Sequence, residues 1–126
     1  MTQKILQAQN LDFNRKSIES KKCDILSFPA KGIGKDRPKQ LDSGIDQIVA
    51  KIAAKNGVSI ALDIHALQQL SKEEKAIALA RFKQNIKLCR KAGTKIKILG
   101  TEQKKEASAL LQSLGASSQQ AKEAIE

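Results

Sequence analysis

The sequence predicts an α/β fold in which β and α units alternate around a parallel sheet, with four strands and about five helices. Three observations carry that expectation. Short apolar runs at Cys23–Phe28, Val58–Ile64 and Thr94–Leu99 are separated by stretches whose apolar residues recur at helical spacing. The run Val58–Ile64 is apolar nearly throughout, as in a strand buried on both faces. Strands that alternate with helices imply parallel pairing through right-handed crossovers. Two architectures fit, a small open sheet or about half of a TIM-like barrel. A complete barrel takes about 250 residues, and this chain has 126. Half a barrel leaves strand edges that another copy or another protein must cover. The length suggests a single domain over residues 1–126.

The elements follow in order. Lys4–Ala8 reads as a first short strand. Leu11, Arg15, Ile18 and Lys22 stand at helical spacing and predict a helix over Leu11–Lys22. Cys23–Phe28 is a compact strand closed by Pro29, which cannot donate to a ladder. Ile45, Ile48, Val49, Ile52 and Ala53 form one apolar stripe. Asp42 or Ser43 can cap the start of that helix, and Gly57 can close its end. After the strand Val58–Ile64, Ser71 to Glu74 is a capping box that opens a long helix to Lys91. Leu79, Phe82, Ile86 and Cys89 mark its buried side, and Gly93 ends it. Thr94–Leu99 is the fourth strand. Two short helices follow, near Glu102–Leu114 and Ser117–Ile125, with Gly115 between them and a second capping box at Ser117–Gln120.

Charge narrows the function. Lys and Arg number 23 against 13 Asp and Glu, a net charge of +10, which favours a polyanionic partner such as RNA or DNA. Aromatic residues are scarce, with three Phe, no Tyr and no Trp, so base stacking is a poor option and phosphate and shape contacts should dominate. Cys23 and Cys89 lie apart in apolar settings with no CxxC or Cys/His cluster. They read as buried free thiols, which suit a cytoplasmic location. Residues Met1–Asn10 lack the long apolar core of a signal peptide, and no run reaches membrane-spanning length.

Three blocks, "CDILSFP", "LDSGIDQIVAKIAAKNGVSIALDIHAL" and "RFKQNIKLCRKAGTKIKI", carry a resemblance. In order and spacing they resemble protein component 3 of archaeal and eukaryotic ribonuclease P, the thirty-kilodalton subunit family. The C-terminal "LLQSLGASSQQAKEAI" resembles that family's closing segment, and the resemblance covers about residues 20–126. It implies a barrel related to the PHP metal-phosphoesterases. It also implies a noncatalytic subunit that supports the catalytic RNA in removing 5′ leaders from precursor tRNA, with a Pop5-like protein as partner. Cleavage would belong to the RNA and its magnesium, so no cofactor and no catalytic residue is assigned to this chain. Against the family pattern the chain reads as a reduced, half-barrel member that closes as a homodimer or with another chain. Ile64–Leu67 departs from the family's turn at that point.

Two cationic groups are candidate RNA contacts. Lys31, Lys35, Arg37 and Lys39 occupy a loop that follows a strand, where parallel α/β folds place their functional face. Its glycines lack the spacing of a phosphate-binding Walker loop. Lys83, Lys87, Arg90 and Lys91 gather on one side of the long helix. Lys97 faces the sheet interior or guards an edge. His65, the single His, stands with Asp63 near a strand end, a poor metal site. Asp42 and Asp46 read as helix-start acids. A small PHP-like phosphoesterase and a basic homomeric interaction module are the alternative readings.

Overall fold

The computed structural model describes residues 3–30 and 43–125. Four strands, β1 (Ile5–Gln7), β2 (Ile25–Phe28), β3 (Ser59–Asp63) and β4 (Ile96–Leu99), form one sheet in the order β1-β2-β3-β4. Every pairing is parallel, and Leu6, Leu26, Ile60 and Ile96 share one row. The helices are α1 (Leu11–Glu19), α2 (Gln47–Asn56), α3 (Ile64–Gln68), α4 (Lys72–Ala92), α5 (Lys104–Ser113) and α6 (Ser118–Ala124). The expected β/α alternation and parallel half-barrel sheet are therefore present. Side chains alternate across each strand. Leu26 and Phe28, Ile60 and Leu62, and Ile96 and Ile98 join one core with Val49, Ala53, Phe82 and Ile86 from the helices. Ile25 and Ala61 are also buried but lie outside that core, on the other face of the sheet.

Local chemistry explains the element ends and corrects several expectations. α1 stops at Glu19 rather than Lys22, because Lys21 turns left-handed at φ 53°. The Lys22 amide then donates to the Ser17 carbonyl and the Lys21 amide to Ile18, a Schellman closure without glycine. α2 is capped by Asp46, not by Ser43. The Asp46 carboxylate accepts from the Val49 amide at 2.8 Å, while Ser43 donates to the Ile45 carbonyl. Asp42 lies outside the described residues. Ile64 was expected to end β3, yet it opens α3, because Asp63 caps that short helix through the Ala66 amide at 3.1 Å. This adds a sixth helix. Ile48 is 56% exposed although it belongs to the predicted stripe; Ala50 takes the buried place beside Val49 and Ala53. Both capping boxes, at Ser71/Glu74 and Ser117/Gln120, are formed.

The segment that leads into α2 is held by two buried amides. Asn14 of α1 donates to the Gly44 carbonyl at 2.9 Å, and Asn85 of α4 donates to the Ser43 carbonyl at 3.0 Å. Gly44 has φ 87°, and a Cβ there would stand 2.9 Å from Phe28 Cε2 and 3.0 Å from Asn14 Nδ2. Gly57 has φ 71° but nothing within 4 Å of its Cβ position. Gly57→Ala should therefore cost only the roughly 1–2 kcal/mol of a left-handed alanine. Gly44→Ala should cost clearly more, read as a larger fall in the urea midpoint. Equal falls would show that Phe28 and Asn14 yield without penalty.

Candidate nucleic-acid interface

The long helix α4 has two chemically opposite sides. Its start is fixed by the capping box, in which Ser71 Oγ accepts from the Glu74 amide at 3.2 Å and Glu74 accepts from the Ser71 amide at 3.1 Å. The Ser71 amide, and then its hydroxyl, hold the exposed Glu74 carboxyl below its ordinary range. Phe82, Asn85, Ile86 and Cys89 are buried against the sheet and α2, whereas Lys83, Lys87, Arg90 and Lys91 are all exposed. Lys83, Lys87 and Lys91 recur every four residues and so share one line. The line runs about 12 Å at the helical rise. With Leu88, and with Leu114 and Gly115 beyond the end of α5, the four cations border an open groove of about 570 Å³. None of the four forms an ion pair among the described residues; the pairs found there, Arg15–Glu19 and Lys16–Asp12, lie on α1. Like charges at four-residue spacing destabilise a helix slightly, while Arg90 and Lys91 favour its C-terminal dipole. A polyanion on this face relieves the first effect and leaves the second.

The other candidates are placed differently. Lys31, Lys35, Arg37 and Lys39 lie outside the described residues. Phe28 ends β2, and the Gly44 backbone packs on its ring. Lys95 is exposed and lines a smaller groove of about 290 Å³ with Arg90, Gln119 and Glu123. Lys97 stands on the face opposite the helix-packed core, in the row of Gln7, Ser27 and Ala61. Its ammonium is turned to the Glu123 carbonyl of α6, at 3.5 Å. His65 is exposed on α3, and Asp63 is engaged in capping that helix. Among the described residues no three His, Cys, Asp or Glu side chains are grouped to hold a metal ion. Among them, too, no helix is long and apolar enough to cross a membrane.

Sequence reasoning missed the buried polar residues that position these surfaces. Asn14, Ser43, Asn85 and Thr94 are each at most 4% exposed. Thr94 Oγ1 donates to the Ala50 carbonyl at 2.6 Å and so ties the approach to β4 to α2. Gln120 Nε2 donates to the Ile86 carbonyl at 3.2 Å and joins α6 to α4. A signal for Asn85 was present: it falls on the apolar stripe of α4, three residues after Phe82.

Fold and surface together define a half β/α barrel whose longest helix presents an exposed cationic face. No protein-family model matches the chain. Ribonuclease P protein component 3 of Methanococcus vannielii is 29% identical over 93 residues, which is 74% of this chain and 37% of that protein. The protein of the same name from Methanocaldococcus jannaschii is 36% identical over 81 residues, 64% of this chain and 32% of that one. A chain in the cryo-EM structure of archaeal ribonuclease P with mature tRNA superposes with a TM-score of 0.76 at 26% identity, covering 96% of this chain and 52% of that chain. The chain is thus similar in sequence to ribonuclease P protein component 3, and in fold to a chain of archaeal ribonuclease P, as its sequence blocks implied. It spans about a third of the length of the curated relatives it matches.

Both thiols are buried and free. Burial pushes Cys89 up from 9.0 to about 12, against a small opposing hydrogen bond from Thr94. Burial, and then the charge of Asp24, also raises Cys23. A thiol that keeps its proton longer when folded stabilises the fold less once the unfolded thiol ionises. Stability should therefore be unaffected by Cys89 below about pH 9 and fall as pH rises from there toward 12. Urea midpoints from pH 7 to 10.5 should decline more steeply for the parent than for Cys89→Val. Parallel declines would show that Cys89 ionises as easily folded as unfolded.

Proposed function

We propose that this chain is a noncatalytic protein subunit of ribonuclease P, supporting a catalytic RNA in the removal of 5′ leaders from precursor tRNA. The observation that carries the reading is the set of four exposed cations on one side of α4, without an ion pair among the described residues, in a fold similar to a chain of archaeal ribonuclease P. Lys83, Lys87, Arg90 and Lys91 contact RNA phosphates there. Lys31, Lys35, Arg37 and Lys39, between β2 and α2 in the sequence, add a second contact. Phosphate contact suits the scarcity of aromatics, because neutralising phosphates needs only accessible cations. Shape and backbone, rather than base edges, are what such a surface reads.

In this reading cleavage and its magnesium belong to the RNA, and the chain contributes charge and rigidity. A Pop5-like subunit is its protein partner, and a second unit, a copy or another chain, completes the barrel. The similarity to ribonuclease P protein component 3 supports these partners, and the parallel half-barrel sheet supports the need for the second unit.

The test is binding of an archaeal ribonuclease P RNA across a salt series. Affinity should fall steeply as salt rises. Replacing Lys83, Lys87, Arg90 and Lys91 together by Gln should weaken binding and flatten the log–log salt slope by up to about 3, at about 0.7 per lost single-strand phosphate contact. Binding that ignores salt, or a slope unchanged in the quadruple variant, would remove α4 from the interface.

A further inference from the structure

The two edges of the sheet have matching geometry. β1 and β4 each have one strand neighbour among the described residues, and they lie at opposite ends of a sheet whose three ladders are all parallel. The hydrogen bonds show which backbone groups point outward. The Ile25 amide donates to the Lys4 carbonyl and the Ala8 amide to the Ser27 carbonyl, so even-numbered residues of β1 serve β2. The period of two leaves the amides and carbonyls of Ile5 and Gln7 at the outer edge. On β4 the Lys95 carbonyl accepts from the Ile60 amide. The groups of Ile96 and Ile98 therefore face outward by the same rule.

We propose that a second copy of this chain closes the sheet, β4 of each protomer pairing with β1 of its partner, to give an eight-stranded parallel barrel. A two-fold axis along the barrel creates both junctions at once and continues the parallel pairing without reversing any strand. Eight strands is the number at which side chains just fill a barrel interior. The inner-face residues at the two edges are compatible with such an interior. Ile5 is 55% exposed at the β1 edge, and Leu99 is half-buried on β4. Lys97, on the same face of β4, reaches past the outer edge to the Glu123 carbonyl of α6 at 3.5 Å, a contact that pairing at this edge would replace. The ribonuclease P chain that superposes on this one holds about as much polypeptide again outside the match, room for a second unit of equal size. A second copy is the occupant favoured here because its edge is the complement of this one in direction, and closure leaves the cations of α4 on the outside. The proposal rests on the half-barrel reading and does not depend on RNA contact.

Ile5→Pro tests it, since proline removes the outward amide of an exposed edge residue while Leu6 keeps its bonds to β2. Native mass and sedimentation of the parent chain at tens of micromolar should give a dimer that persists at high salt. Ile5→Pro, and separately Gln7→Pro, should give monomers with the parent's circular dichroism. A parent that is monomeric across that range overturns the proposal, and so does a dimer that both prolines leave intact. RNA binding, measured on the same samples, separates the two readings. A monomer that binds RNA overturns closure alone, and a proline-sensitive dimer that ignores RNA overturns the ribonuclease P reading alone.

Discussion

Two side-chain amides, on Asn14 and Asn85, hold the turn at Ser43 and Gly44, and four elements are placed by that contact. Asn14 brings α1, Asn85 brings α4, the turn itself opens α2, and Gly44 lies against Phe28 at the end of β2. Apolar packing alone is non-directional. It selects which faces meet, whereas a donor aimed at one carbonyl also fixes the position along them. The arrangement carries a local penalty, because Asn85 Oδ1 is buried without a partner among the described residues. A buried acceptor left bare costs on the order of 1–3 kcal/mol. The amide is therefore better understood as fixing a position than as adding stability. That position is the entry to α2.

The same economy appears along α4. One side supplies Phe82 and Ile86 to the core, and Phe82 meets Phe28 with ring centroids 6.2 Å apart. That pair uses two of the three aromatic residues in the chain as core, so neither is available to stack on a base. The other side carries Lys83, Lys87, Arg90 and Lys91, with Gln84 and Leu88 beside them in the groove. A chain with net charge +10 repels itself. Clustering four cations on an exposed helix side keeps them in high dielectric, where the repulsion is weak until an anion arrives. Core and charge thus share a helix without competing for the same residues.

Patterns that depend on neighbours in sequence were legible, and contacts that depend on neighbours in space were not. The parallel sheet followed from the apolar runs, and both capping boxes followed from three-residue spacings. The cations of α4 followed from helical periodicity. The short helix α3 did not, because Asp63 reads equally as a strand end and as a cap until Ala66 is seen to donate to it. Asp46 was read as a helix-start acid, but Ser43 competed as the cap, and only the left-handed turn at Gly44 decides between them. The roles of Asn14, Asn85 and Thr94 each depend on a partner 30 to 44 residues away. No local pattern encodes such a partner. A polar residue on an apolar stripe says that something is bonded, without saying what.

The two surfaces of this chain answer to different physics, and that is why they can be separated. The cations of α4 act through long-range charge, which salt screens over about 8–10 Å. The edges of β1 and β4 act through backbone hydrogen bonds and apolar contact, which salt hardly touches. Under two-fold closure the two α4 faces lie on opposite outer sides of the barrel. Each is then free to meet its own stretch of polyanion, and neither junction brings one cationic row against the other. In that dimer the chain would present two equivalent charged faces. The strand edges, a liability in a single copy, become the joint that spaces those faces.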